Sequence, residues 1–201
     1  YKMHTLSLYF HFVAVRIKSQ MEYRISFVMD ILSNFCVTFL DFLSIVLIFS
    51  RFHALPHWGL WEVAFLYGMI GTSFALSEMI GRGFDEFHRL VVRGEFDIML
   101  IRPLGTFYQV LAHQFQLRRL GRMSQALLVF FVASAHLGVS WTLGKVCFLL
   151  AAIVGGACFF MGLLVIGATI CFWTVQSIEI INIFTYGGME AGGFPMSIYR
   201  Y

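Results

Sequence analysis

Four residues of one apolar stretch have the types and spacing to do chemistry inside a membrane: Asp30, Asn34, Thr38 and Asp41. With Ser33 and Ser44 they fall within roughly 140° of one another on a helix that turns 100° per residue. A charge near the middle of a span is costly against lipid, so this stripe has to face protein or water. It suits a wall of a translocation path, and equally a carboxylate kept neutral or hydrogen-bonded to a neighbouring helix. An ion or proton channel would use the same Asp30, Asn34 and Asp41. A lipid-modifying enzyme would instead need Asp41 and Glu78 to converge as acid and base. His53 and His57 have the spacing of a metal pair on a helix, but Pro56 stands between them and no third ligand is near. No catalytic residue and no metal site is assigned.

Several chemistries have no motif in this chain. It lacks the GxxxxGK[ST] phosphate loop, GxSxG and HExxH, so it has no ATP site of the first kind and expects none of its own cofactors. No filter-like loop stands between two half-spans. Cys36, Cys147, Cys158 and Cys171 sit in apolar runs without a CxxC pattern and read as small packing residues. Any energy for work has to come from a partner.

The elements that position these residues follow from composition. Apolar residues make up 59% of the 201 and charged ones 12%, with a mean hydropathy of +0.79. This predicts an all-α, polytopic membrane protein, a single transmembrane domain over 1–201. The net charge of +3 comes from loop arginines and is no argument for nucleic acid. Residues 1–24 are amphipathic and predict an interfacial elbow helix. Spans are expected at about 25–50, 61–80, 123–139 and 146–173, with a partly broken fifth over 180–191. Residues 107–122 read as a second interfacial helix. Ala64, Gly68, Gly71 and Ala75 recur at i, i+4, i+7 and i+11, a small-residue face for close packing. Gly187, Gly188, Gly192, Gly193 and Pro195 predict irregular backbone where the fifth segment ends. Of the fourteen Lys and Arg, four lie up to Arg24 and seven run from Arg82 to Arg122, against Arg51, Lys145 and Arg200 on the other side. That asymmetry predicts a cytoplasmic N-terminus and a cytoplasmic 82–122 segment.

Residues 82–105, RGFDEFHRLVVRGEFDIMLIRPLG, are the longest polar interval. Four arginines face four carboxylates, for no net charge. A balanced segment between two spans suits a folded element that a soluble partner can grip. A scaffold subunit that uses the small-residue faces as its interface is a further possibility.

At these residues a resemblance appears. HRLVVRGEFDIMLIRPLG resembles the coupling region of bacterial ABC type 2 export permeases: a charged helix, then Gly94, an acidic position at Asp97, Met99-Leu100 and Pro103-Leu104. FWTVQSIEIINIFTYGGMEAGGFPMSIY, residues 172–199, looks like the junction of spans 4 and 5 in one subfamily, with Pro195, Ser197, Ile198 and Tyr199 in its closing run. The resemblance implies a six-span permease of the bacterial inner membrane, about five spans of which are present, stopping short of a sixth. It implies a second permease copy, identical or related, and a cytoplasmic ABC ATPase that carries ATP and Mg. The coupling residues would be Arg89, Arg93, Gly94, Glu95, Asp97, Arg102 and Pro103. Gly187, Gly188 and Pro195 would belong to an outer re-entrant region.

Overall fold

The computed structural model describes residues 2–51, 58–174 and 178–194. The loop histidines His53 and His57, and Pro195 with the run after it, lie outside them. Among the described residues the fold is helical without a strand: α1 (Lys2–Met21), α2 (Arg24–Arg51), α3 (Leu60–Asp85), α4 (Phe87–Val92), α5 (Glu95–Leu100), α6 (Thr106–His113), a 3-10 turn (Leu117–Arg119), α7 (Leu120–His136), α8 (Leu143–Ile170) and α9 (Ile178–Gly192). Among the described residues three helices are long and apolar enough to cross a membrane: α2, α3 continued into α4, and α8. α7, with 17 residues, and α9, with 15, measure only about 25 and 22 Å at 1.5 Å per residue. The chain is thus an all-α protein of membrane type.

α3 is the centre. It packs against α7 and α8 and also meets α2, α6 and α9. Its start is set by Glu62, whose carboxylate accepts the Gly59 N–H at 2.7 Å, satisfying a donor that the first helical turn leaves open. Its small-residue face is where α7 comes in. A methyl group on Gly68 would stand 2.7 Å from Phe130 Cβ and 2.8 Å from the Ala126 carbonyl, and one on Gly71 would stand 3.2 Å from Ala126 Cβ. The helices approach this closely because no side chain stands between them. Gly68→Val is therefore expected to force them apart and cost roughly 1–3 kcal/mol, the usual penalty of overpacking. A lowered melting temperature in detergent checks this; an unchanged one would mean that the α3–α7 contact is loose.

Three apolar clusters lie along α3. Ile45, Val63, Tyr67 and Val129 join α2, α3 and α7. Phe74, Phe160 and Met189 join α3, α8 and α9. Phe84, Phe87, Leu90, Met99, Val110 and Leu164 tie the charged segment to the end of α8. At the opposite end, Trp61 stacks on His136 with centroids 3.9 Å apart, and Trp141 Nε1 donates to Ser134 Oγ at 3.0 Å. Tryptophans there are in keeping with an interfacial belt. Outward-facing Phe148 and Phe159 on α8 and Leu32 and Leu47 on α2 give the bundle its apolar exterior.

Two local expectations differ from what is seen. Residues 107–122 are not one helix: α6 stops at His113, and Gln114 and Gln116 are extended before the 3-10 turn. The break is held from both sides. Gln20 of α1 donates to the Phe115 carbonyl and accepts the Leu117 N–H at 3.0 Å, while the Gln116 N–H donates to the Met79 carbonyl at 3.3 Å. Second, Gly187 and Gly188 do not break the backbone. They lie inside α9, which runs on to Gly192. Glycine is frequent in membrane helices, where packing holds the backbone, and Gly192 lies against Ile70.

Candidate functional site: a charged hairpin and a buried hub

α4 and α5 form a helical hairpin that closes the polar end of α3. The turn between them needs Gly94, whose φ of 70° is in the left-handed region where a Cβ is strained. Met99, Leu90 and Phe87 are buried beneath it, and Gln109 Nε2 donates to the carbonyls of Met99 and Leu104 at 3.0 and 2.9 Å. The hairpin is therefore packed and fastened, not a solvated loop.

Its outer surface differs from what its charges suggest. Arg89, Arg93, Asp97, Arg102 and Pro103 are all exposed. Arg93 and Glu95 approach only to 3.9 Å, and Glu95 lies 3.7 Å from His113 Nε2. Among these charges sit Val92, Ile98, Leu100 and Ile101, exposed by 65, 51, 56 and 83%. Apolar side chains this open, ringed by arginines, make a crown of the kind that marks a protein contact. Sequence reasoning on the charges passed over it, although the run Ile98-Met99-Leu100-Ile101 inside a polar segment was the available signal.

Beneath the hairpin lies a hub that the sequence did not disclose. Glu78, 4% exposed, accepts from Arg122 Nη1 at 2.7 Å, Arg119 Nη2 at 3.1 Å and the Tyr186 hydroxyl at 2.7 Å. Arg82 Nη1 stands 4.0 Å from the same carboxylate, pairs with Asp85, and holds Glu86 at 3.0 Å. Glu86 also receives Gln114 Nε2 at 2.8 Å and Arg89 Nη1 at 3.3 Å. Arg119 reaches on to Asn34 Oδ1 of α2 at 3.5 Å. The chain of charges thus runs from Arg89 on the hairpin, through Glu86, Arg82 and Glu78, to Asn34 on α2 and Tyr186 on α9. Three carboxylates offset three guanidiniums in its interior, which such burial requires. Burial pulls the Arg119 guanidinium down from its ordinary value, Arg122 and Arg82 push the same way, and Glu78 opposes them.

The polar stripe on α2 divides. Asn34 turns inward: its Nδ2 donates to the Asp30 carbonyl at 2.8 Å while its Oδ1 meets Arg119. Thr38, 2% exposed, donates to the Asn34 carbonyl at 2.9 Å, and its own carbonyl accepts the Tyr67 hydroxyl at 3.1 Å. Asp30 and Asp41 stay exposed. Asp41 is within electrostatic reach of Tyr67 and of Glu190 on α9, itself an exposed residue. Glu78 lies eleven residues beyond Tyr67 on α3, about 16 Å along the axis. Asp41 and Glu78 therefore do not converge, and an acid–base pair is not formed. Among the described residues no three His, Cys, Asp or Glu side chains gather as metal ligands.

The bundle thus carries a packed hairpin at its polar end, joined by charge to α2 and α9. The family model for ABC-2 family transporter protein matches residues 35–201, from within α2 through α9 and beyond. The chain belongs to that family, and it is a membrane-embedded transporter component. Neither the comparison with curated proteins nor that with solved structures gave a match.

Proposed function

We propose that this chain is the permease subunit of an ATP-driven exporter, energised by a separate cytoplasmic ATPase that binds ATP and Mg. The observation that carries the proposal is the exposed apolar crown on a hairpin fastened to the buried Glu78 hub. The crown is the ATPase contact. Arg89, Arg93, Asp97 and Arg102 around it steer and orient the partner, the usual role of rim charges. Gly94 and Pro103 shape the turns, and Glu95 faces His113 of α6 at 3.7 Å.

In this reading closure of the ATPase tilts the hairpin as a rigid piece. The tilt reaches α7 and α2 through Arg119 and Arg122, and α9 through Tyr186, so the hub is the two-state element that both ends bias. The translocation face is the side of α2 and α9 that presents Asp41 and Glu190. Carboxylates at membrane depth avoid lipid, so a second permease copy, identical or related, completes a watered path across that face. Asn34 and Thr38 support the face from inside. The excess of Lys and Arg up to Arg24 and from Arg82 to Arg122 supports a cytoplasmic N-terminus and hairpin, and the resemblance to bacterial permeases supports an inner-membrane location.

The test is reconstitution in sealed vesicles. The permease is expected to stimulate its ATPase and to pass no ion current in the absence of ATP. A current that persists without ATPase and disappears in Asp41→Asn would replace the exporter with a channel that uses the Asp41 stripe.

A further inference from the structure

A cavity of about 400 Å³ opens between the end of α1, the first turns of α2 and the extended strap that precedes α7. It is unused by the hub and the hairpin, and all of its α1 and α2 wall precedes the family match. Its volume is in the range of ordinary small-molecule sites. Ser26, Phe27 and Asp30 of α2, with Tyr23 just before it, supply one wall. Arg118 lies on the opposite wall.

These two charges set the chemistry. Asp30 and Arg118 face one cavity, yet among the described residues neither forms an ion pair with the other or with any third group. Arg118 holds Gln116 Oε1 through its Nε at 3.1 Å, which fixes the stem and leaves its terminal nitrogens toward other partners. The floor is already organised, because both ends of the Gln20 amide are bound to the strap. An anion and a cation across one cavity suit a ligand that carries both signs.

Its depth sets the source of that ligand. The cavity lies where the elbow helix turns into the first long apolar helix, six residues after Arg24 at its deepest α2 residue, about 9 Å along the axis. Ile25, Val28 and Met29 on the adjoining faces of α2 are 81, 59 and 60% exposed, and Tyr23 is 74% exposed. Polar groups inside the cavity, apolar side chains beside it and a tyrosine at the boundary describe the head-group level of a bilayer. We infer that this cavity binds the head group of a zwitterionic phospholipid of the ethanolamine type, the ammonium on Asp30 and the phosphate on Arg118, with the acyl chains along the exposed face of α2.

The experiment is lipid binding to the full chain in detergent. Phosphatidylethanolamine, phosphatidylglycerol and water-soluble glycerophosphoethanolamine are added separately, and retention by native mass spectrometry and melting temperature are read. Wild type is expected to retain phosphatidylethanolamine at least about tenfold better than phosphatidylglycerol and to melt higher with it. Asp30→Asn, which keeps the shape of the side chain, and Arg118→Gln, which shortens it and removes the charge, are expected to lose about tenfold in retention and the lipid-induced rise, while melting without lipid stays at the wild-type value. Equal retention of phosphatidylglycerol would overturn the zwitterion assignment. Equal stabilisation by glycerophosphoethanolamine would overturn the lipid, leaving a soluble ligand. Wild-type lipid selectivity in both variants would remove the site from this cavity.

Discussion

Glu78→Gln is expected to destabilise the protein by about 3–5 kcal/mol, the cost of breaking a buried ion cluster from one side. Arg119 and Arg122 are 11 and 15% exposed, and both depend on the Glu78 carboxylate for a counter-charge. The glutamine keeps the size of the side chain but offers those guanidiniums a neutral oxygen and an extra donor. The Tyr186 hydroxyl bond weakens in the same step. A drop in melting temperature of roughly 10 °C should follow for a chain of this size. The triple change Glu78→Met, Arg119→Met, Arg122→Met removes all three charges together. Replacing a buried cluster by apolar side chains is often neutral in stability, so this variant is expected to melt near wild type. It is also expected to fail to stimulate the ATPase, since the charged link from the hairpin to α2 and α9 is then gone. Melting of Glu78→Gln at the wild-type temperature would show the hub to be solvated. Full stimulation in the triple variant would show that coupling bypasses it.

Ile98→Asp with Ile101→Asp is expected to weaken ATPase binding by about 30-fold or more, the effect of losing a desolvated anchor worth about 2 kcal/mol. Both side chains point away from the fold, at 51 and 83% exposure, so melting should not change. Charge reversal at Arg93 or Asp97 tests the rim. These residues are exposed, and the Arg93–Glu95 pair is long, so each reversal is expected to cost less than about tenfold and to depend on salt. The opposite order, with reversals costing far more than the two aspartates, would make the contact electrostatic and remove the crown from it.

Much of the helical layout was legible because its signals are local. The lengths of the apolar runs placed α2, α3 and α8, and the small residues at Ala64, Gly68, Gly71 and Ala75 marked the face on which α7 closes. The polar interval 82–105 stood out by composition and is a packed hairpin. The hub was not legible. Arg122 and Tyr186 lie 44 and 108 residues from Glu78, and no period along the chain links charges that meet only once the helices have packed. The same distance effect split the α2 stripe: a shared helix face could not reveal that Arg119 and Tyr67 take up Asn34 and Thr38 while Asp30 and Asp41 stay outside. At Gly187 and Gly188 the propensity of glycine was a poor guide, since the helix runs through both to Gly192.

An ATP-driven exporter requires that a soluble ATPase engage the hairpin. The measurement that bears on it most directly is a titration of purified ATPase against the wild-type permease in lipid nanodiscs, at fixed ionic strength. The expected result is saturable binding, competed by the Ile98→Asp, Ile101→Asp variant only weakly. No binding by a monodisperse, correctly melting permease would contradict the claim.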